Sequence, residues 1–318
     1  FIYIRIKYLN IRLIVAKPKI SKDVKKFFRL LLPNLLAGGV VQINQFVGII
    51  FAASIPGAIS WLYYADRIVQ LPLGIFIISI STILLTNLSS PRLQKNFNNM
   101  NNQIEKSIEI ILGISLLSCI GLLILSNLIV DVLFKRGQFG YGDVKATSEA
   151  IMMYAYGLPA FGLIKVFSTI FFSRQDTKTP FRISFFSMIL NIIAIFFLIK
   201  DLGHLGIALA LSLSSWINAI ILYIFIHYKG YWKIKFSLLK KTIKLLLVFI
   251  VSLNVVNVLE YFIIFFDLVD TSTLFRKILY LSYLIIISIT TFIFFCIIFR
   301  ILSIKDLSRK KLNNFFKE

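Results

Sequence analysis

Acidic residues are scarce in this sequence. Among 318 residues there are 14 Asp and Glu against 35 Lys and Arg, a formal net charge of +21. So few carboxylates argue against a metal-dependent enzyme acting on phosphates, which needs clustered acids. The single DxxD, Asp267 and Asp270, stands alone in a connection expected outside the membrane. Histidine is scarcer still: His204 and His227 have no ligand spacing around them, so the sequence predicts no metal and no cofactor. The two cysteines, Cys119 and Cys296, both lie inside apolar segments and read as packing residues rather than a disulfide framework. No nucleophile elbow, phosphate-cradling glycine loop or HExxH motif is present, which points away from enzymes. Interruptions of apolar runs are lacking too. The chain is 58% hydrophobic with a mean hydropathy of +0.86, above the roughly half-apolar composition of soluble domains.

What is present is a series of long apolar segments, each able to cross the hydrocarbon layer as a helix. Lipid offers no partner for backbone N–H and C=O groups, so spanning segments must be helices or closed barrels. The short alternating segments of a barrel are not seen. The expected fold is therefore an all-α polytopic membrane protein with about eight transmembrane helices. The spans are expected at 27–53, 58–86, 107–134, 146–172, 180–200, 205–227, 240–265 and 277–301. Residues 1–26 carry basic interruptions in a short apolar stretch and read as a basic juxtamembrane segment, the end of an earlier helix. The chain begins at Phe1, and an N-terminal portion is expected to precede it.

The positive charge is distributed among the connections rather than gathered on one face, so no nucleic-acid partner is expected. With residues 1–29 placed inside, 27 of the 35 basic residues fall in cytoplasmic segments and 6 in outer ones; Arg67 and Lys165 remain within spans. That bias places both ends of the chain in the cytoplasm.

Breakers mark two spans. Pro33, Gly38 and Gly39 interrupt the first, and Gly157 and Pro159 the fourth. Groups freed by such breaks must face protein or water. The shared "LP" and small-residue pattern fits either a three-plus-three internal repeat or ordinary close helix packing. Gly38 and Gly39 are the candidate hinge.

The stretch WLYYADRIVQLPLGIF, residues 61–76, places Asp66 and Arg67 about nine residues into the second span. At about 1.5 Å per residue this is roughly 13 Å deep. Charge at that depth faces a bundle interior or an aqueous cavity. Tyr63 and Gln70 share the face at helical spacing, and Pro72 with Gly74 are expected to loosen the helix just beyond. The first span adds Gln42, Asn44 and Gln45, the fourth Lys165, the fifth Asn191 and the sixth Asn218. Arginine offers a planar donor fork suited to phosphate, and lysine a point charge. Arg67, Asp66, Gln70, Lys165 and Asn44 are therefore the candidate substrate-binding residues for an anion, with Asp66 orienting Arg67. The competing reading is structural: an ion pair and amide hydrogen bonds that tie helices together. In the loop SRQDTKTPFR, 173–182, Asp176 is placed to cap the following helix and Pro180 suits its first turn; a cytoplasmic anion gate is the functional alternative. KRGQF, 135–139, reads as an outer turn.

The runs PNLLAGGVVQINQF, LYYADRIVQLPLGIF, LFKRGQF and GLPAFGLIKVFSTIFFSRQDTKTPFRIS together resemble the MurJ/MviN family of lipid II flippases, within the multidrug/oligosaccharidyl-lipid/polysaccharide exporter superfamily. The resemblance runs from about residue 22 to about 230 and continues weakly beyond. It implies a fourteen-helix fold: two six-helix lobes around a cationic cavity, and two further helices forming a groove for the lipid tail. The eight spans then correspond to the second lobe, 27–227, and the two groove helices with a basic tail, 228–318. The first lobe, with its own cavity charges, is absent from this sequence; a separate chain supplying it is one expectation, a split or decayed remnant another. The implied activity is export of a lipid-linked pyrophosphate peptidoglycan precursor across the bacterial inner membrane by alternating access. The family's charged pair carries over onto Asp66 and Arg67. Where some members place an acid one turn later, this chain has Gln70. A cation-coupled drug exporter of the same superfamily would favour carboxylates in the cavity over Arg and Lys.

Overall fold

A computed structural model of the chain describes residues 24, 31, 39, 40, 42–90, 97–266 and 273–301. Residues 1–23, Gly38, and Asp267 with Asp270 lie outside the described residues. The elements are helices: α1 Gln42–Ala52, α2 Ala58–Pro72, α3 Ile78–Leu88, α4 Phe97–Phe134, α5 Tyr141–Ala155, α6 Leu158–Ser173, α7 Lys178–Leu202, α8 His204–Tyr228, α9 Phe236–Phe265 and α10 Leu274–Ile298. Among the described residues, six helices or continuous helix pairs are long and apolar enough to cross a membrane, and α5–α6 makes a bent seventh. The first of the expected spans is described in its second half, as α1.

Helix α4 is the central post. It packs against α5 and α6 on one side and against α9 and α10 on another. Helix α7 pairs mainly with α8, which in turn leans on α5 and α6. Small residues permit the closest approaches. A Cβ on Gly162 would stand 2.6 Å from Ile111 Cγ2, and one on Gly206 would stand 2.6 Å from the Leu198 carbonyl oxygen. Two apolar clusters result. One, around Ala58, Leu62, Ala65, Ala155 and Ala208, fills the half that holds the start of α2. The other, around Leu84, Ile104, Ile111, Phe171 and Trp232, fills the half that holds the end of α3.

Helix α2 passes into α3 through a π-helical turn, Leu73–Ile77. Pro72 has no N–H to donate back to the preceding turn, so the ladder must be re-registered there. Leu73 N–H bonds to the Gln70 carbonyl, and Ile78 N–H reaches five residues back to Leu73. The loosening expected from Pro72 and Gly74 thus takes the form of one widened turn.

The fourth span bends by 43° between α5 and α6. The break frees carbonyl groups, and each finds a partner on a neighbouring helix. Gly157 N–H bonds to Tyr154, so the Met153 carbonyl loses its helical donor and accepts instead from Ser212 Oγ at 2.7 Å. Pro159 has no N–H for Ala155, whose carbonyl lies 3.3 Å from Cys119 Sγ. Trp216 Nε1 donates to the Tyr156 carbonyl at 2.9 Å. Cys119 therefore does more than fill space.

The third span starts earlier than expected. Hydropathy places its beginning at 107, yet α4 is helical from Phe97. Hydropathy reports where lipid begins, not where the helix does. The polar first turns of α4 pack beside the start of α9: Lys235, just before that helix, pairs with Glu105 at 3.4 Å, and Lys241, in its second turn, with Glu109 at 2.7 Å.

Candidate functional site

Asp66 and Arg67 sit on α2, held by the first apolar cluster through Leu62, Ala65, Ile68 and Val69. Consecutive residues on a helix diverge by about 100°, and the two charges do diverge. Among the described residues, Arg67 makes no ion pair. Its guanidinium carbon lies 4.8 Å from the centre of the Tyr63 ring, one turn toward the start of α2. Asp66 instead accepts a hydrogen bond from Gln70 Nε2, one turn toward Pro72. The expectation that Asp66 orients Arg67 directly gives way to two parallel i,i+4 pairings that draw the charges apart. The structural alternative of a buried Asp–Arg knot is not what is seen: Asp66 is half-buried and Arg67 is exposed.

Lys165 is exposed on α6, eight residues past the 157 break. It too has no ion-pair partner among the described residues, and no hydrogen bond joins it to Asp66 or Arg67 there. Asn44, half-buried on α1, accepts from Asn191 Nδ2 of α7 at 2.7 Å, so its amide ties two helices. The carbonyl oxygens of Asn191 and of Asn218 on α8 are buried and unpartnered among the described residues. Gln42 and Gln45 are exposed on α1. For Gly39, a Cβ would meet nothing within 4 Å. No group of three His, Cys, Asp or Glu residues that could hold a metal occurs among the described residues.

Two polar clusters escaped the sequence reading. Near the start of α2, Trp61 donates to Asp143 of α5 at 2.7 Å and packs on the His204 ring of α8 at 4.9 Å. His204 Nε2 is 3.0 Å from the Ala146 carbonyl, and Asp143 also accepts from Gly140 N–H at 2.8 Å. This fastens the start of the Arg67 helix to α5 and α8. Its one sequence signal is Asp143 in the first turn after Gly140. Between α6 and α7, Asp176 caps α7 as expected, accepting from Thr179 N–H at 3.1 Å. It also pairs with Lys229 at 2.6 Å, while Arg174 donates to the Tyr231 carbonyl at 2.9 Å. Burial pushes the Asp176 carboxyl up, but the hydrogen bonds from Lys229 and Thr179 outweigh it and hold the group below the usual carboxylate range. The loop is thus occupied as a clamp between the 173–178 and 229–231 connections.

The model of the family described as "Lipid II flippase MurJ" matches residues 1–280. A probable lipid II flippase MurJ of Rhizobium meliloti (strain 1021) is 36% identical over 231 residues, covering 73% of this chain and 43% of the relative. One from Rickettsia prowazekii (strain Madrid E) is 38% identical over 223 residues, covering 70% and 44%. A solved structure titled "Lipid II flippase MurJ, inward closed conformation" superposes with a TM-score of 0.71 at 27% identity, covering 90% of this chain and 57% of that one. The chain thus spans less than half the length of either curated relative.

Proposed function

The chain belongs to the lipid II flippase MurJ family, and from that premise we propose that it moves a lipid-linked peptidoglycan precursor across the bacterial inner membrane. The diphosphate headgroup cannot enter hydrocarbon, so it needs a hydrated cationic path. Arg67 supplies the cation. The observation that carries this reading is its state: exposed, resting on Tyr63, and without an ion pair among the described residues, at a position that the residue count puts roughly 13 Å into the span. A bare guanidinium facing acyl chains at that depth costs ~2.5 kcal/mol or more. A face that meets water and a diphosphate removes that cost and matches the guanidinium's paired donors.

In this reading α1 to α8 form one transporter lobe, and α9 with α10 form the groove along which the polyprenyl tail slides. A further six helices, in the same polypeptide or a separate one, complete the cavity. Lys165 adds a second cation and Asn44 an amide on the path. The lobe rocks against its partner, with Gly38 and Gly39 as hinge, and both described ends face the cytoplasm. With the cell interior negative, outward movement of the anion gains ~2.3 kcal/mol per charge per 100 mV.

The test is rescue of a flippase-depleted bacterium by the chain, expressed with and without six additional helices. Arg67→Ala and Arg67→Lys are both expected to impair rescue, since lysine keeps the charge but loses the fork. Full rescue by Arg67→Ala returns the residue to a packing role. Replacing Gly38 and Gly39 with Leu is expected to slow transport with insertion intact; unchanged transport removes the hinge.

A further inference from the structure

The Asp66–Arg67 dipeptide poses an electrostatic problem. A carboxylate beside the only full cation of this helix would neutralise it and occupy the donors meant for an anion. Adjacent side chains leave the helix about 100° apart, but arginine is long and flexible enough to fold back toward its neighbour. The observed geometry prevents this from both ends. Gln70, four residues on, donates to Asp66 and holds the carboxylate toward the cytoplasmic side. Tyr63, four residues before Arg67, offers its ring face 4.8 Å from the guanidinium carbon and holds it toward the outer side. Both contacts use the i,i+4 spacing at which helix side chains meet.

We propose that Tyr63 and Gln70 are positioning residues that split the Asp66–Arg67 pair and leave the guanidinium fork open for the diphosphate. This rests on the reading of Arg67 as the phosphate contact. The ring face carries no oxygen acceptor, so this contact commits none of the guanidinium's N–H donors to a carboxylate or carbonyl. The amide of Gln70 satisfies the carboxylate without bringing a charge of its own. A glutamate there would repel Asp66 and supply a second carboxylate within reach of Arg67, which lies three residues before it. Asp66 is kept at the site as a negative charge aimed away from the ligand.

The experiment measures binding of undecaprenyl diphosphate to the full chain in lipid nanodiscs. Arg67→Ala is expected to weaken binding by about tenfold or more, the loss of a charge-assisted pair of hydrogen bonds. Gln70→Ala frees Asp66 to fold onto Arg67 and is expected to weaken it by about two- to fivefold, the range of an exposed ion pair. In an Asp66→Asn background, where no carboxylate remains to compete, Gln70→Ala is expected to have no further effect, and Asp66→Asn itself to tighten binding. Tyr63→Leu is expected to weaken binding and Tyr63→Phe, which keeps the ring, to restore it. If Gln70→Ala weakens binding equally with and without Asp66, or if Tyr63→Leu and Gln70→Ala leave binding unchanged while Arg67→Ala abolishes it, the positioning role is overturned and the phosphate contact stands. If Arg67→Ala itself leaves binding unchanged, the reading of Arg67 beneath it fails as well.

Discussion

Substituting Ser212 with alanine tests whether the break between α5 and α6 is held open by neighbouring helices. Ser212 is 1% exposed and donates 2.7 Å to the Met153 carbonyl, which the break has deprived of its helical donor. Alanine removes one hydroxyl and little volume, so the packing loss is small. The main effect is an orphaned carbonyl in a medium without water. Interhelical hydrogen bonds in membrane proteins average about 0.6 kcal/mol and reach about 1.7. Ser212 lies toward the upper end, because the bend leaves Met153 no alternative partner: the Gly157 N–H that would close the helix is committed to Tyr154. An expected loss is about 1–1.5 kcal/mol. Reversible unfolding in mixed micelles, followed as a function of SDS fraction, reads this directly. Trp216→Phe, which orphans the Tyr156 carbonyl, is expected to cost about 0.6 kcal/mol, and because 212 and 216 lie one turn apart on α8, the double variant reads the coupling between the two carbonyls of the break. Ser212→Ala at wild-type stability would refute the accounting and mean that the bend is imposed by Pro159 and helix packing alone.

Other outcomes are open to measurement. Asp143→Ala removes the acceptor for Trp61 and for Gly140 N–H, and is expected to destabilise by about 1–3 kcal/mol; a Trp61→Phe background should absorb most of the Trp61 share. Gly206→Ala forces a Cβ to 2.6 Å from a backbone carbonyl of α7, and overpacking of this kind costs about 1–3 kcal/mol, whereas Gly39→Ala meets nothing and should be neutral or better. The Asp176 carboxyl is held below its ordinary value of 3.8, so its contribution is present at neutral pH and lost as pH falls through the lowered folded value. Thermal melts in detergent from pH 6 downward should therefore fall more steeply for the wild type than for Asp176→Asn; equal slopes would remove the Lys229 clamp as the cause.

Much of the architecture was legible because bilayer physics is strict. Spans at 58–86, 180–200 and 205–227 were expected, and helices run through Ala58–Leu88, Lys178–Leu202 and His204–Tyr228. Pro72 and Pro159 announced their breaks because a missing N–H must disturb the ladder wherever the chain folds. The start of α4 was misplaced by about ten residues, because its polar first turns are stabilised by Lys235 and Lys241 from over a hundred residues away. The candidate site was half legible. Depth and residue type singled out Asp66 and Arg67, but not that Gln70 and Tyr63 would part them, since each side chain had two or more neighbours in reach.

The sequence by itself determined the class of the protein, a helical membrane protein, and the place of most of its long apolar helices, with one arginine inside α2. Those follow from local quantities: run length, residue type and a fixed rise per residue. Only the tertiary structure decided which groups meet, such as Asn44 with Asn191, Trp61 with Asp143 and His204, and the freed carbonyls of the α5–α6 break with Cys119, Ser212 and Trp216. In a membrane every polar group must find a partner, but periodicity names only the need; the packing of helices distant in sequence chooses who fills it.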